Sequence, residues 1–284
     1  MIERVAVIGS GTMGNGIAHV CAQHGRAVHL VDMSDELLEK ALAAISKNLD
    51  RQVKKDLLTE SEKAETLGRI TGFTSLESAV AEVQLAVESV PEDAELKYSI
   101  MRSLDDACPD DTILASNTSS ISITEIGART TRPERVVGMH FMNPVPVMKL
   151  VEIIRGLGTS DETTTAVMTM ARELGKTPVE VNDFPGFVSN RVLIPMINEA
   201  VFALMEGVAD AEAIDTVMKL GMNHPMGPLE LADLIGLDTV LSILDVLHRE
   251  LGEDKYRPCP LLRKHVAAGW LGRKSGRGFH TYES

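Results

Sequence analysis

A chain of 284 residues is long enough to bury a large core and exceeds one ordinary domain, so two unequal domains are expected. Hydrophobic residues at 44% and charged residues at 24% point to a folded, water-soluble protein and exclude a disordered or fibrous one. With 41 acidic against 28 basic side chains the formal net charge is -13, which argues against nucleic acid or an anionic membrane surface as the main partner.

The N-terminus enters a strand-like apolar run at once, Val5 to Ile8, without a basic stretch, an apolar signal core or a cleavage site. Further strands are predicted at Ala27 to Val31, Leu85 to Glu88, Ile113 to Ala115, Val136 to His140, Lys149 to Ile154 and Pro178 to Val181. Helices fill the gaps at Gly14 to Gln23, Asp35 to Lys55, Ala94 to Ala107 and Asp161 to Leu174. This alternation implies a parallel sheet with helices on both faces. The segment Asn182-Asp183-Phe184-Pro185-Gly186 then reads as a hinge, and Val188 to Met205, Leu229 to Leu234 and Val240 to Leu251 read as helices, the first kinked at Pro195. The expected class is α/β, a Rossmann-type doubly wound sheet over residues 1–182 followed by an all-helical C-terminal domain over 183–284. No apolar segment approaches membrane-spanning length, and the three separated cysteines Cys21, Cys108 and Cys259 fit reduced thiols, with no disulfide framework or metal-ligand pattern. A cytoplasmic protein is the expectation.

Between the first strand and first helix stands Gly9-Ser10-Gly11-Thr12-Met13-Gly14, the spacing of a dinucleotide-binding turn. Gly9 permits the tight turn, Gly11 lets a pyrophosphate approach the backbone, and Gly14 allows helix to pack closely on strand. The helix N-terminus faces the anion, so an acidic protein binds a diphosphate without a basic cluster. Asp32, 18 positions after Gly14, is placed to accept both ribose hydroxyls and to repel a 2'-phosphate. Met33 and Ser34 beside it bring no cation, so NAD is preferred over NADP.

His140 stands at a predicted strand end, ahead of a proline-containing loop and the strand Lys149 to Ile154. In a hairpin Glu152 is expected diagonally across from it, about 7 Å away at Cβ, within reach of a hydrogen bond. A carboxylate there holds one imidazole tautomer and raises the basicity of the other nitrogen, which suits removal of a hydroxyl proton. Read blandly, His140 is a structural histidine. His19, His24, His29, His248 and His280 compete, and His224 in Gly221-Met222-Asn223-His224-Pro225 is the most serious rival.

Val5 to Gly14, Ser116-Asn117-Thr118-Ser119-Ser120, His140-Phe141-Met142-Asn143-Pro144 and Pro185-Gly186-Phe187-Val188-Ser189-Asn190-Arg191 together resemble the L-3-hydroxyacyl-CoA dehydrogenases. Pro225-Met226-Gly227-Pro228 and Gly276-Arg277-Gly278-Phe279 agree, and the size is similar to the short bacterial, 3-hydroxybutyryl-CoA type. The resemblance implies that His140 is the general base, Glu152 its orienting carboxylate, and Ser119 and Asn190 the holders of the substrate's oxygens. It further implies that Glu92, Lys97, Asn143 and Lys274 lie near NAD, that Arg51, Lys54 and Lys55 meet the phosphates of an acyl-CoA substrate, and that the protein is a homodimer of fatty acid or butanoate metabolism. Met142 and Ser189 depart from many relatives and put acyl-chain preference in doubt. Two other readings stay open: a related NAD-dependent 3-hydroxy acid or L-gulonate dehydrogenase without CoA, and a non-catalytic NAD-binding protein.

Overall fold

A computed structural model describes residues 2–282. The chain divides into two compact units after Asp183. The first contains β1 (Arg4–Ile8), α1 (Thr12–Gln23), β2 (Ala27–Val31), α2 (Asp35–Val53), α3 (Glu60–Gly68), β3 (Ile70–Phe73), α4 (Leu76–Val80) and β4 (Leu85–Glu88). It continues with α5 (Ala94–Ala107), β5 (Ile113–Ser116), α6 (Ile123–Gly127), β6 (Val136–Phe141), β7 (Leu150–Arg155), α7 (Asp161–Glu173) and β8 (Thr177–Asn182).

The strands form one sheet in the order β3-β2-β1-β4-β5-β6-β7-β8. The inner strands β4, β5 and β6 are buried at every position, as expected of strands covered on both faces. The chain order reverses between β1 and β4, and the C-terminal ends of strands at such a switch point form a crevice for ligands. All neighbours run parallel except β6 and β7. Their connection, residues 142–149, carries no helix, so the chain simply doubles back.

Side-chain caps fix most of the helix starts. Ser34, Asp93, Ser122 and Ser160 each accept an amide of the first turn, and Thr59 with Glu62 forms a reciprocal capping box. On α2 only Leu38, Ala41, Ile45 and Leu49 are buried, a single stripe at helical spacing.

Several elements differ from the sequence expectation. The long second helix stops at Val53, because the chain turns through Lys54 and Lys55 to Asp56, whose φ is +54°. The strand β3 and the helices α3, α4 and α6 carried too little periodicity to be read. In β3, for example, Ile-Thr-Gly-Phe buries only its first residue.

The second unit is helical: α8 (Ser189–Met205), α9 (Ala211–Gly221), α10 (Pro228–Ile235), α11 (Leu237–Leu251) and α12 (Pro260–Ala267). Ile194, Ile197 and Val201 of α8 pack with Leu229, Ala232, Leu237, Val240 and Leu244 in a core of its own. The C-terminal segment is pinned by buried acids. Asp233 accepts the amides of Phe279 and His280, each at 2.9 Å, and the Tyr282 hydroxyl at 3.0 Å. Among the described residues, no helix is long and apolar enough to cross a membrane.

Candidate active site

The glycine loop is shaped by contacts that no side chain could share. Gly9 has a φ of +95°, and a Cβ on it would lie 2.7 Å from the Ser89 carbonyl oxygen. A Cβ on Gly14 would collide with the Gly9 carbonyl, whereas beside Gly11 the space is open to 4 Å. Among the described residues no side chain caps α1, in contrast to α2, so its first turn is suited to an anion.

Asp32, just past β2, reaches back to this loop. Its Oδ2 accepts the Ser10 amide at 2.7 Å and the Ser10 hydroxyl at 2.6 Å, and Oδ1 accepts the Met33 amide at 2.7 Å. Burial pushes the carboxyl up, but the Ser10 and Met33 donors outweigh it and hold Asp32 below the usual carboxylate range. It is an anion at neutral pH, and with three of its about four acceptor sites filled it can take a ribose hydroxyl directly. Loop, helix end and acid therefore fit a dinucleotide diphosphate.

Behind the loop lies a polar cluster in which Glu92, Lys97 and Ser119, named from the sequence, gather around Glu88, which was not. Glu88 ends β4, is 0% exposed, and accepts the Lys97 ammonium at 2.7 Å, the Ser116 hydroxyl at 2.6 Å and the Val90 amide at 2.7 Å. Lys97 is itself buried and also donates to the Val90 carbonyl at 3.1 Å, with Glu92 at 3.4 Å. Glu92 Oε1 accepts the Thr118 hydroxyl at 2.6 Å, the amides of Ser119 and Ser120 at 2.9 and 3.0 Å, and the hydroxyls of Ser119 and Ser120 at 3.2 and 2.9 Å. Loss of surrounding water raises the Glu92 pKa, yet Lys97 and these donors lower it further, so the group stays ionised.

The histidine and its acid occupy the hairpin. His140 and Glu152 face each other directly in the β6–β7 register, not diagonally as expected. Nδ1 of His140 lies 2.8 Å from Oε2 of Glu152, and both residues are buried. A carboxylate only accepts, so Nδ1 carries the proton and, in the neutral ring, the lone pair is on Nε2. The exposed Asn143 follows in the loop, with a cis bond to Pro144.

A second carboxylate-backed imidazole occurs in the helical unit, where His280 Nε2 lies 2.7 Å from Asp215 Oδ2. The Asp215 carboxylate also accepts the amides of Leu229 and Glu230 at the start of α10, so this pair is occupied in tying the chain terminus to a helix. Among the described residues no acid pairs with His224 in this way. Of these three histidines, His140 is the one in the unit that carries the glycine loop.

The remaining expected residues fall in two places. Arg51, Lys54 and Lys55 are exposed together where α2 ends. Asn190 and Lys274 belong to the helical unit: Asn190 is the second residue of α8, entered through Gly186 and Phe187 at φ +79° and +50°, and Lys274 is paired with Asp238 at 2.6 Å.

Residues 4–184 match the family described as 3-hydroxyacyl-CoA dehydrogenase, NAD binding domain, and residues 186–282 match its C-terminal domain. A probable 3-hydroxybutyryl-CoA dehydrogenase of Bacillus subtilis is 58% identical over 99% of this chain and 98% of its own length. A 3-hydroxybutyryl-CoA dehydrogenase of Bradyrhizobium diazoefficiens is 53% identical over 99% of this chain and 96% of its own. The crystal structure of (S)-3-hydroxybutyryl-CoA dehydrogenase from Ralstonia eutropha superposes with a TM-score of 0.98 at 51% identity, covering all of both chains.

Proposed function

The chain belongs to the 3-hydroxyacyl-CoA dehydrogenase family, and we propose that it interconverts (S)-3-hydroxyacyl-CoA and 3-ketoacyl-CoA with NAD, its preferred substrate being 3-hydroxybutyryl-CoA. The observation that carries this reading is the buried His140–Glu152 pair in the same unit as a dinucleotide loop. NAD, when bound, supplies the acceptor for the hydride that leaves C3.

The protein's own part is proton management and orientation. Nε2 of His140 takes the proton of the 3-hydroxyl, and the Glu152 carboxylate stabilises the resulting imidazolium across their 2.8 Å contact. In the reverse direction the same imidazolium protonates the forming alkoxide. Ser119 and Asn190 hold the hydroxyl and the thioester carbonyl. The glycine loop, Asp32, Glu92, Lys97, Asn143 and Lys274 form the dinucleotide site, and Arg51, Lys54 and Lys55 meet the CoA phosphates. The intact catalytic set disfavours a non-catalytic role, and the cationic end of α2 disfavours a CoA-free substrate.

The test is NADH oxidation with acetoacetyl-CoA by wild type, His140→Gln and Glu152→Gln. Turnover falls at least about 100-fold in the histidine variant with NADH affinity little changed. Normal turnover in that variant removes the base assignment.

A homodimer through the helical unit is part of the same reading. That unit exposes Val208, Val217, Leu220 and Met222 at 60% or more, an apolar surface of the kind that subunit contacts cover. Cys21, Cys108 and Cys259 are buried free thiols, in keeping with a cytoplasmic setting.

A further inference from the structure

The loop that joins His140 to its acid lies largely at the surface. Residues 142–149 run from the end of β6 to the start of β7, and of these Asn143, Pro144, Val147, Met148 and Lys149 are exposed. Within the loop the Pro144 carbonyl accepts the amides of Val147 and Met148, each at 3.0 Å. Its one buried residue is Val145, at 2% exposure.

Two elements outside the hairpin grip the loop at that residue. Lys176 stands between α7 and β8, and its ammonium donates to the carbonyl of Val145 and, at 2.8 Å, to the carbonyl of Met148. From the other direction comes α1, the helix that starts at the glycine loop. A Cβ on Gly16 would stand 2.9 Å from that of Val145, so helix and loop meet with no room for a methyl group.

Lys176 is 8% exposed, and among the described residues no carboxylate pairs with its ammonium. The Cys21 thiol near it is neutral, burial pushing it up to about 12, and burial likewise draws Lys176 below the usual lysine range. A buried cation without a counter-charge costs more than an apolar side chain of the same length. Folding alone therefore does not account for a lysine here, whereas its two carbonyl contacts give it a task.

We propose that Lys176 is a positioning residue for the reaction: opposed by Gly16 across Val145, it sets the 142–149 loop against α1 and so places Asn143 and the hairpin that presents His140. This rests on the base and the dinucleotide site assigned above. Reacting groups tolerate little displacement, since a shift of about 1 Å can cost on the order of 100-fold in rate. Lys176→Met keeps the length of the side chain and removes its charge and donors. Gly16→Ala leaves the ammonium in place, presses on Val145 from the other side, and keeps the question answerable should the lysine variant fail to fold.

The experiment measures kcat and KM with acetoacetyl-CoA and NADH, and amide hydrogen exchange of segment 145–148 by mass spectrometry, in both variants and wild type at a temperature where each is folded by circular dichroism. Expected in each folded variant are a fall in kcat of at least about 10-fold, KM for acetoacetyl-CoA within about 3-fold of wild type, and exchange at least about 10-fold faster in that segment. A purely structural lysine would lower the melting temperature and leave kcat of the folded enzyme alone, so wild-type kcat overturns the proposal whatever the exchange does. A fall in kcat with unchanged exchange overturns it as well, because the loop would then not be what moved. Inactivity of the wild type on acetoacetyl-CoA defeats the functional reading instead, and the exchange measurement still decides whether Lys176 holds the loop.

Discussion

The carboxamide oxygen of Asn117 accepts the amide of Phe141 at 2.9 Å, continuing the ladder between β5 and β6 after the last backbone pairing, Ser116 with Gly138. The end of the strand that carries His140 is therefore held on one side by β7 and on the other, past its pairing with β5, by a side chain. Asn117→Leu leaves a buried amide unpaired beside the base, and urea unfolding should show a loss of about 1–3 kcal/mol. Turnover should fall as well, whereas Asn117→Asp, which keeps an acceptor, should retain more of both. Equal stability in wild type and Asn117→Leu would show that the contact does not hold the strand.

His19 provides a pH dependence in stability that has no part in catalysis. It is fully buried on α1, its Nδ1 has no hydrogen-bond partner among the described residues, and its pKa is pushed down from 6.5 to about 4. Burial is the main cause, opposed by Gln23 and reinforced by the charges of Lys176 and His24. A folded pKa below the unfolded one means that the unfolded chain binds more protons between those values. The contribution is therefore complete above pH 6.5 and declines as pH falls towards 4, by about 3 kcal/mol in all. Urea midpoints of wild type and His19→Leu should diverge on the alkaline side and converge towards acid, once each is referred to its own value at pH 4. Parallel curves would mean that His19 does not titrate on unfolding.

Much of the fold was legible because its signals are local. The run Val5 to Ile8 is buried throughout and the glycine spacing follows it at once, so strand, turn and helix identify one another. The His140–Glu152 contact was foreseen, but its register was not, because register depends on where the connecting loop turns and on four paired positions acting together. The Glu88 cluster escaped for a related reason. A glutamate closing an apolar run reads as a surface residue, and nothing in the sequence says that a lysine nine positions later turns back to meet it. Asn117 sat inside a quoted motif without a role, since its partner is 24 positions away.

Cofactor choice should follow the charge at the end of β2. Asp32 is held ionised by Ser10 and Met33, and Met33 beside it is 89% exposed without a cation. Replacing the acid and supplying a cation, as Asp32→Ser with Met33→Arg, should admit a 2'-phosphate. The ratio of kcat/KM for NADH over NADPH is expected to drop by at least about 100-fold. An unchanged ratio would mean that the ribose is recognised elsewhere.

The cations at the end of α2 decide between a CoA ester and a free hydroxy acid. Arg51 is oriented by Asn48 at 3.2 Å, and Lys54 and Lys55 stand exposed where the chain leaves the helix, on an arm whose opposite stripe is buried. Exposed charges contribute little to folding, so Lys54→Glu with Lys55→Glu should leave thermal stability nearly unaltered. It should raise KM for acetoacetyl-CoA by about 10-fold while KM for NADH holds, and wild-type KM for the ester should climb with added salt as the attraction is screened. Because the reacting carbons lie far from the nucleotide phosphates in any CoA ester, kcat at saturation should be preserved. If the ester's KM ignores both the reversal of charge and the salt, the arm does not bind CoA, and a substrate lacking the nucleotide becomes the better account of the chemistry at His140.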